Sequence, residues 1–485
     1  MNGIWFFDDW MLERRDCLDR IWGKPKFVKE IFSEFSPPGW DGYGGFPTAF
    51  YDERLGRYVL YLSNFPGRKS RDRTPGAGAG GCIDGRFLFR VQTDDPYNWP
   101  NPRYDPSVEL AWQGFEDVVV DQAGNPVWTH TVQSLAGTPL AGRGYGSCVL
   151  DEPGHRTLGG FSDDGVRFTV DWERAWLNPG SDIAGDILWN EEAGLYELFV
   201  RQVYGERRVA LSTTKDFEQF SRPITILQPD ALDRVGTEFY DMPPEKYEDF
   251  YLGLLNIQAT DRFEEVSVSS AWPQIKYFGR METELTYSYN GFYWYRTERK
   301  PFIGIRDYGL PGGGSAYGKA MLRTRDDKLL FFVVADMGGH GARIEDIPWP
   351  YGDGYRSPML YEMRLDGFCS LKTWGHEGVL RTKVIIPRTG EMSLNVRTML
   401  HTFVRVQILD GMTAKPIPGY TWNEAVPISG DHLYAKPRWK ERDDISELVD
   451  RPVRFEIALT EAELFAIRSN CDAYYACDPP LKSLW

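Results

Sequence analysis

Two short turn patterns alternate without interruption along residues 44–372, and they constrain the architecture more than any other feature of the sequence. The first is an acidic or glycine-bearing turn followed by an apolar run, centred on Gly56, Gly124, Gly194, Asp249 and Lys328. The second is a run ending in an Asp- or Asn-bearing turn, then an aromatic or apolar pair, at Asp95, Asp164, Asp216, Asn290 and Asp366. Asp, Asn and Gly suit such turns because they tolerate left-handed backbone and close tight hairpins. The flanking segments alternate with period two or form short apolar stretches, as strands do. Each unit of the repeat therefore predicts two hairpins, or four antiparallel strands, and there are five units. That is the signature of a five-bladed β-propeller.

The expected blades are 44–99, 105–172, 183–223, 236–303 and 315–372. Residues 1–43 form a lead-in with a strand at IWFF and a helical stretch at ERRDCLDRIW. After residue 372 the pattern changes to five strand-like runs (LRTKVIIP, EMSLNVRTM, FVRVQILDG, RPVRFEIAL and AELFAIRS), and a C-terminal β-sandwich is expected over 373–485. The fold class is all-β: a five-bladed β-propeller followed by a C-terminal β-sandwich. The sandwich would cover one side of the propeller or mediate assembly into a homo-oligomer.

Composition agrees with a large, loop-rich β protein. Of 485 residues, 15% are aromatic, and there are 49 glycines and 32 prolines. The formal net charge of −15 and the lack of a Lys/Arg-rich block argue against a nucleic-acid partner. The longest strongly apolar run, Leu329 to Ala335, falls short of the roughly 20 residues that a membrane span needs, so no membrane association is expected. The opening MNGIWFFDDW has no basic segment followed by an apolar stretch, which points to a cytoplasmic location. The six cysteines match no zinc spacing and read as reduced, mostly buried thiols, with a Cys471–Cys477 disulfide as the alternative. No metal site or cofactor is expected, since the chain has no HExxH, EF-hand or phosphate-loop pattern.

In a propeller the inner strands line a central channel, so their starts are where chemistry collects. The strand preceding each first-pattern turn carries Asp41 in blade one, Glu116 and Asp117 in blade two, Asp186 in blade three and Glu238 in blade four. Blade five carries Ser315 and Tyr317 instead. Carboxylates at converging strand mouths are costly to bury unless paired, and crowding drives their pKa values apart, as glycoside hydrolysis requires. Each acid has a structural alternative: capping a turn or pairing with an arginine.

Five blades with inner-strand acids, then a sandwich, resemble the five-bladed propeller glycosidases of glycoside hydrolase family 32 and its relatives in families 43 and 68. The stretches FFDDWMLERR, TAFYDERLGRYVLYL, TEFYDMPPEKYEDFYLGLL and FYWYRTERKPFI are most similar to a broad group of bacterial proteins described as family-32-like, as is the tail VRVQILDGMTAKPIPGYTWNEAVPISGDH. The resemblance implies a glycosidase acting on a small oligosaccharide or glycoside. By position it makes Asp41 the base or nucleophile, Asp186 the orienting acid and Glu238 the general acid. Asp8 or Asp9 is the alternative to Asp41. The fructosidase signatures are absent, so fructan specificity is not implied.

Around these acids, Trp40, Tyr43, Trp189 and Tyr240 could form a platform for a sugar ring, or fill wedges between blades. Arg143 and Arg201 could meet hydroxyl or carboxylate groups of a substrate, or pair with structural acids. Tyr317 and His340 are further candidates for the channel. The alternative to an enzyme is a non-catalytic carbohydrate-binding or structural propeller.

Overall fold

A computed structural model describes residues 1–32, 40–66, 87–103, 105, 107–108, 111–151, 156–180, 185–203, 206–265, 275–340 and 356–474. Among the described residues the chain is all-β, with helical geometry confined to short 3-10 turns such as Ala111–Gly114 and Ala141–Arg143. It forms two compact units. One comprises Met1–Lys24, Tyr247–Phe250 and Met363–Trp485, and the other Pro25–Lys246 and Tyr251–Glu362.

The larger unit is built from antiparallel ladders in chain order. Trp40–Asp52 pairs with Arg57–Pro66, which pairs with Phe87–Thr93. The strands Gln133–Ser134, Tyr145–Asp151, Arg156–Ser162 and Arg167–Val170 form the next ladder. Asp186–Asn190, Leu195–Val203, Arg207–Thr214 and Ile224–Leu227 form a four-stranded meander. Thr237–Asp241, Phe250–Glu265, Ile275–Ser288 and Tyr295–Arg296 follow in the same manner. Ser315–Arg323, Lys328–Asp336 and Arg356–Arg364 complete the series, and Lys26–Glu30 from the start of the chain adds the outermost strand. Single parallel pairs, Met281 with Ser315 and Arg356 with Gly42, join the fourth ladder to the fifth and the fifth to the first.

Apolar clusters fill the spaces between neighbouring ladders, because each sheet has two faces to bury. Val59, Tyr61, Val149 and Phe168 pack the first ladder on the second. Trp128, Cys148, Ile187 and Leu198 join the second to the third, and Phe199, Leu211, Phe239 and Tyr251 join the third to the fourth. Leu60, Phe89, Leu330 and Phe332 bring the fifth back against the first.

The second-pattern turns share a hydrogen-bond design. In four of them a Ser or Thr stands two residues before the Asp or Asn, as Thr93, Ser162, Thr214 and Ser288, and an aromatic stands four residues after it, as Trp99, Phe168, Phe220 and Trp294. The Asp or Asn Oδ1 accepts backbone N–H groups two or three residues on: Tyr97 at 3.0 Å, Val166 at 2.8 Å, Glu218 at 2.8 Å and Phe292 at 3.0 Å. The preceding hydroxyl accepts from the turn, as Ser162 does from Gly165 and Ser288 from Gly291, both at 2.9 Å. Gly165 and Gly291 take φ of 76° and 81°, which only glycine adopts without strain. In the fifth copy Arg364 replaces the hydroxyl residue, and Asp366 is used differently. It is fully buried in the smaller unit and accepts from Trp5 Nε1 at 2.9 Å, Tyr247 Oη at 2.7 Å and Asn395 Nδ2 at 2.8 Å, and it pairs with Arg468.

The smaller unit is organised about the long strand Val453–Arg468, which pairs with Gly3–Trp5, Cys369–Lys372, Glu377–Thr382 and Ser393–Asp410. Two sequence expectations change here. The stretch ERRDCLDRIW is not helical: Leu12–Asp16 and Asp19–Trp22 are strands, hydrogen-bonded to Glu377–Thr382 and Cys369–Lys372, with Cys17 at φ 54° reversing the chain between them. Partners distant in sequence override local helix preference. The runs EMSLNVRTM and FVRVQILDG are one strand, Ser393–Asp410, and RPVRFEIAL and AELFAIRS are another, Val453–Arg468. The polar residues between the runs are bends rather than hairpins, with His401 and Glu461 at positive φ where the register shifts.

The described cysteines Cys17, Cys148, Cys369 and Cys471 are free thiols, and burial pushes Cys369 and Cys471 up to about 12. Cys477 lies outside the described residues.

Candidate active site

Side chains alternate along a strand, so Glu238 and Asp241, three residues apart, should face opposite sides of Thr237–Asp241. A bulge changes this. The register runs Glu238 with Gln258, Phe239 with Ile257, then Asp241 with Asn256, leaving Tyr240 as the extra residue. Glu238 and Asp241 thus stand opposite Gln258 and Asn256, which are two apart and share a face, while Phe239 enters the apolar cluster behind. A second bulge lies in Ser315–Arg323, where Gly318 pairs with Val333 and Ala320 with Phe332, leaving Lys319 as the extra residue. Bulges re-aim single side chains in this way beside functional sites.

The two bulges bring Lys319 and Asp241 together. Lys319 Nζ lies 2.5 Å from Asp241 Oδ2, and both side chains are buried. Asn256 Nδ2 donates to Asp241 Oδ1 at 2.5 Å and to the Gly318 carbonyl at 2.8 Å. Thr283 Oγ1 donates to Asn256 Oδ1 at 2.7 Å and accepts the Gly318 N–H at 2.7 Å. A buried ion pair endures only when its remaining hydrogen-bond capacity is met, and on the Asp241 side Asn256 meets it. Asp186, 5% exposed at the start of Asp186–Asn190, is within electrostatic reach of the pair. Burial pushes its carboxyl up to about 7. Lys319 works against that rise and Asp241 adds to it.

Glu238, 4% exposed, accepts the Arg207 backbone N–H on Oε2 at 2.6 Å. Burial raises its pKa against the pull of that hydrogen bond and of the Arg207 and Arg201 guanidiniums. Tyr240 is only partly buried. Its ring lies 4.9 Å from the guanidinium carbon of Arg201 and 5.2 Å from that of Arg207. His340 meets the same ring edge-on at 5.3 Å, and Tyr317 approaches at 6.1 Å. His340 Nδ1 is 3.3 Å from Gln258 Nε2. Phe46, at φ 52°, stacks on His130 at 3.8 Å, packs against Tyr317 and lies 5.0 Å from Lys319 Nζ. A phenylalanine in left-handed backbone is strained, and such strain collects where a side chain must be held in one place.

Among the residues singled out in the sequence, Asp186, Glu238, Arg201, Tyr240, Tyr317 and His340 belong to this connected group. Trp189 packs on Tyr196 at 4.7 Å, within the cluster between the second and third ladders. Arg143 is exposed and lies 4.5 Å over the Phe161 ring. Glu116 pairs with Arg103 at 3.4 Å and Asp117 with Arg90 at 3.1 Å, beside the edge strand Phe87–Thr93. Asp8 caps its own turn by accepting the Trp10 N–H at 2.8 Å, and Asp9 pairs with Arg15 and Arg20, all in the smaller unit. Trp40, Asp41 and Tyr43 lie in the strand Trp40–Asp52, and their side chains are outside the description. Asp241, Lys319, Arg207, Gln258, Phe46 and His130 were not singled out in the sequence. Asp241 stands in the same TEFYD segment as Glu238, but period-two alternation sends it to the wrong face unless the bulge is known.

No group of three or more His, Cys, Asp or Glu residues is placed to hold a metal ion among the described residues. No family model and no curated protein matches the chain. Three solved structures give the scale of its likeness to known folds. An α-L-arabinofuranosidase from Podospora anserina in complex with cellotriose superposes with a TM-score of 0.43 at 11% identity, over 71% of this chain and 98% of that one. The catalytic domain of a GH62 α-L-arabinofuranosidase from Coprinopsis cinerea gives 0.43 at 11%, over 70% and 97%. An N-acetylgalactosamine deacetylase from F. plautii gives 0.42 at 13%, over 73% and 97%. At these values none of the three assigns an activity or a catalytic residue to this chain.

Proposed function

We propose that this protein is a glycoside hydrolase of the family-32-like type acting on a small oligosaccharide or glycoside, with the ladders of its larger unit arranged as five propeller blades and its C-terminal region as a β-sandwich. The apolar clusters that pack the first ladder on the second, the second on the third, the third on the fourth and the fifth on the first, with Met281 of the fourth against Tyr317 and Val334 of the fifth, support the blade arrangement. The observation that carries the enzymatic reading is the bulge at Tyr240, which puts Glu238 and the ion-paired Asp241 on one face with Asp186 in reach. Buried carboxyl groups gathered in one place, with Asp186 and Glu238 both raised by burial, suit acid–base chemistry at a glycosidic bond. In this reading Glu238 protonates the leaving oxygen, Asp186 orients the sugar, Asp41 acts as base or nucleophile, and Tyr240 and Tyr317 offer ring faces. A cytoplasmic location, a carbohydrate as the only partner class and self-association as a homo-oligomer belong to the same proposal.

A second reading, carbohydrate binding without catalysis, is favoured by one observation: Glu238 Oε2 is engaged by the Arg207 N–H. A panel of methyl glycosides, whose leaving oxygen needs a proton, separates the two. Turnover by the wild type that falls about 10²–10⁴-fold in Glu238→Gln supports hydrolysis with Glu238 as the acid. Sugar binding without turnover supports the second reading, and unchanged turnover in Glu238→Gln contradicts the assignment of the acid.

A further inference from the structure

The three most exposed large apolar side chains described in the larger unit are Val235 at 94%, Tyr308 at 80% and Leu232 at 79%, and the next, Ile224, falls to 55%. All three stand on connectors that lead into strands of the candidate site. Leu232 and Val235 precede Thr237–Asp241, and Tyr308 precedes Ser315–Arg323 with the exposed Leu310 beside it. Tyr240 meets Tyr317 at 6.1 Å and, further along both strands, Asp241 meets Lys319 at 2.5 Å, so the two strands run in one direction and begin at one end of the site. Both connectors are held in place. Buried Arg296 grips Asp233 at 2.6 Å, and Arg299 grips Asp230 at 2.6 Å. The Arg234 carbonyl accepts the Thr237 N–H at 3.1 Å, which closes a turn with Val235 and Gly236 at its tip. In the other connector the Arg306 N–H donates to the Gly312 carbonyl at 2.9 Å, and the Gly313 N–H to the Leu310 carbonyl at 2.8 Å. Apolar side chains gathered beside a site on ordered backbone mark a contact surface.

We propose that Leu232, Val235, Tyr308 and Leu310 receive an apolar aglycone, so that the substrate is an alkyl or aryl glycoside rather than one sugar linked to another. This rests on the glycosidase reading of the same site. In that reading Glu238 protonates the leaving oxygen, and it stands three residues after Val235. Three residues of chain span at most about 11 Å, so the group attached to that oxygen lies within reach of the connector. A sugar there would set its hydroxyl groups against Leu232 and Val235, whose side chains offer no hydrogen bond. An alkyl chain or aryl ring would instead remove their apolar surface from water.

The test is ligand-observed NMR on the full-length protein with matched methyl and hexyl glycosides of glucose, galactose, mannose, xylose and arabinose, in both anomers, and with 1-hexanol. Wild type and Glu238→Gln are each expected to bind at least one hexyl glycoside about tenfold or more tightly than its methyl counterpart. The preference is expected to shrink in Leu232→Ser/Val235→Ser and in Tyr308→Ser/Leu310→Ser, and to fall below about threefold when all four changes are combined. The four side chains are exposed, and an unchanged melting temperature shows that each variant is folded. Equal binding of the two series, binding of neither, or a preference that survives the combined variant overturns the proposal. Hexanol binding as tightly as the hexyl glycoside overturns the link to the sugar site. A dimer in sedimentation velocity that the combined variant dissociates, with the hexyl preference intact, assigns the surface to a second copy of this chain and also overturns it. Because Glu238→Gln removes the acid but not the connectors, the two ideas fail separately. Turnover of methyl glycosides with no hexyl preference sinks this inference alone, and a connector-dependent hexyl preference without turnover supports it and sinks only the hydrolase reading.

Discussion

Lys319 Nζ sits 2.5 Å from Asp241 Oδ2, and each residue reaches that position through a bulge in a different strand. Removing one partner leaves the other charged and buried, so Lys319→Met is expected to cost about 3–5 kcal/mol, read from urea unfolding. The double variant Lys319→Met/Asp241→Leu should recover a substantial part of that loss. A single-variant cost below about 1 kcal/mol, the range of an exposed pair, would show that the pair is not held as described.

Asp186 gives stability a defined pH dependence. Its folded pKa, about 7, lies above the unfolded value near 3.9, so between those limits the folded chain holds a proton that the unfolded chain has released. Its contribution is complete below about pH 4 and is lost as pH rises through about 7, by roughly 4 kcal/mol in total at 1.36 kcal/mol per pH unit. Burial also raises Glu197 and Glu245, which titrate in the same direction, so the informative quantity is the difference between wild type and Asp186→Asn. The variant should lose less stability between pH 4 and pH 8. Parallel stability–pH curves would show that Asp186 does not set this pH dependence.

The turn motif predicts graded effects. Ser288→Ala removes a buried hydroxyl that accepts the Gly291 N–H at 2.9 Å, and should cost about 1 kcal/mol. Asp366→Ala at the equivalent turn should cost about 3–5 kcal/mol, because it strands Arg468 together with Trp5, Tyr247 and Asn395. Unfolding midpoints that respond equally to the two changes would mean that Asp366 is an ordinary turn residue.

The sequence showed the turns clearly because turn chemistry is local. Asp164, Asp216 and Asn290 bond their own backbone within three residues, so their spacing could be read without knowing any partner. The strands of the smaller unit were less legible. Leu12–Asp16 and Asp19–Trp22 pair with segments some 350 residues away, and local preference carries no record of that. The candidate site was half legible. Glu238, Tyr240 and Asp186 could be placed from strand position alone, whereas Asp241 and Lys319 depend on two bulges that no alternation pattern reveals. Glu116 and Asp117 show the opposite error: acids at an apparent strand mouth that pair instead with Arg103 and Arg90.

Delivery of a proton by Glu238 to the leaving oxygen can be read from leaving-group dependence in Glu238→Gln. A dinitrophenolate departs without protonation, whereas an alkoxide needs the acid. If Glu238 is the acid, the variant hydrolyses the dinitrophenyl glycoside of the preferred sugar nearly as well as wild type, while kcat/KM for the matching methyl glycoside falls about 10²–10⁴-fold. Equal losses on both substrates, or no loss on either, would contradict it.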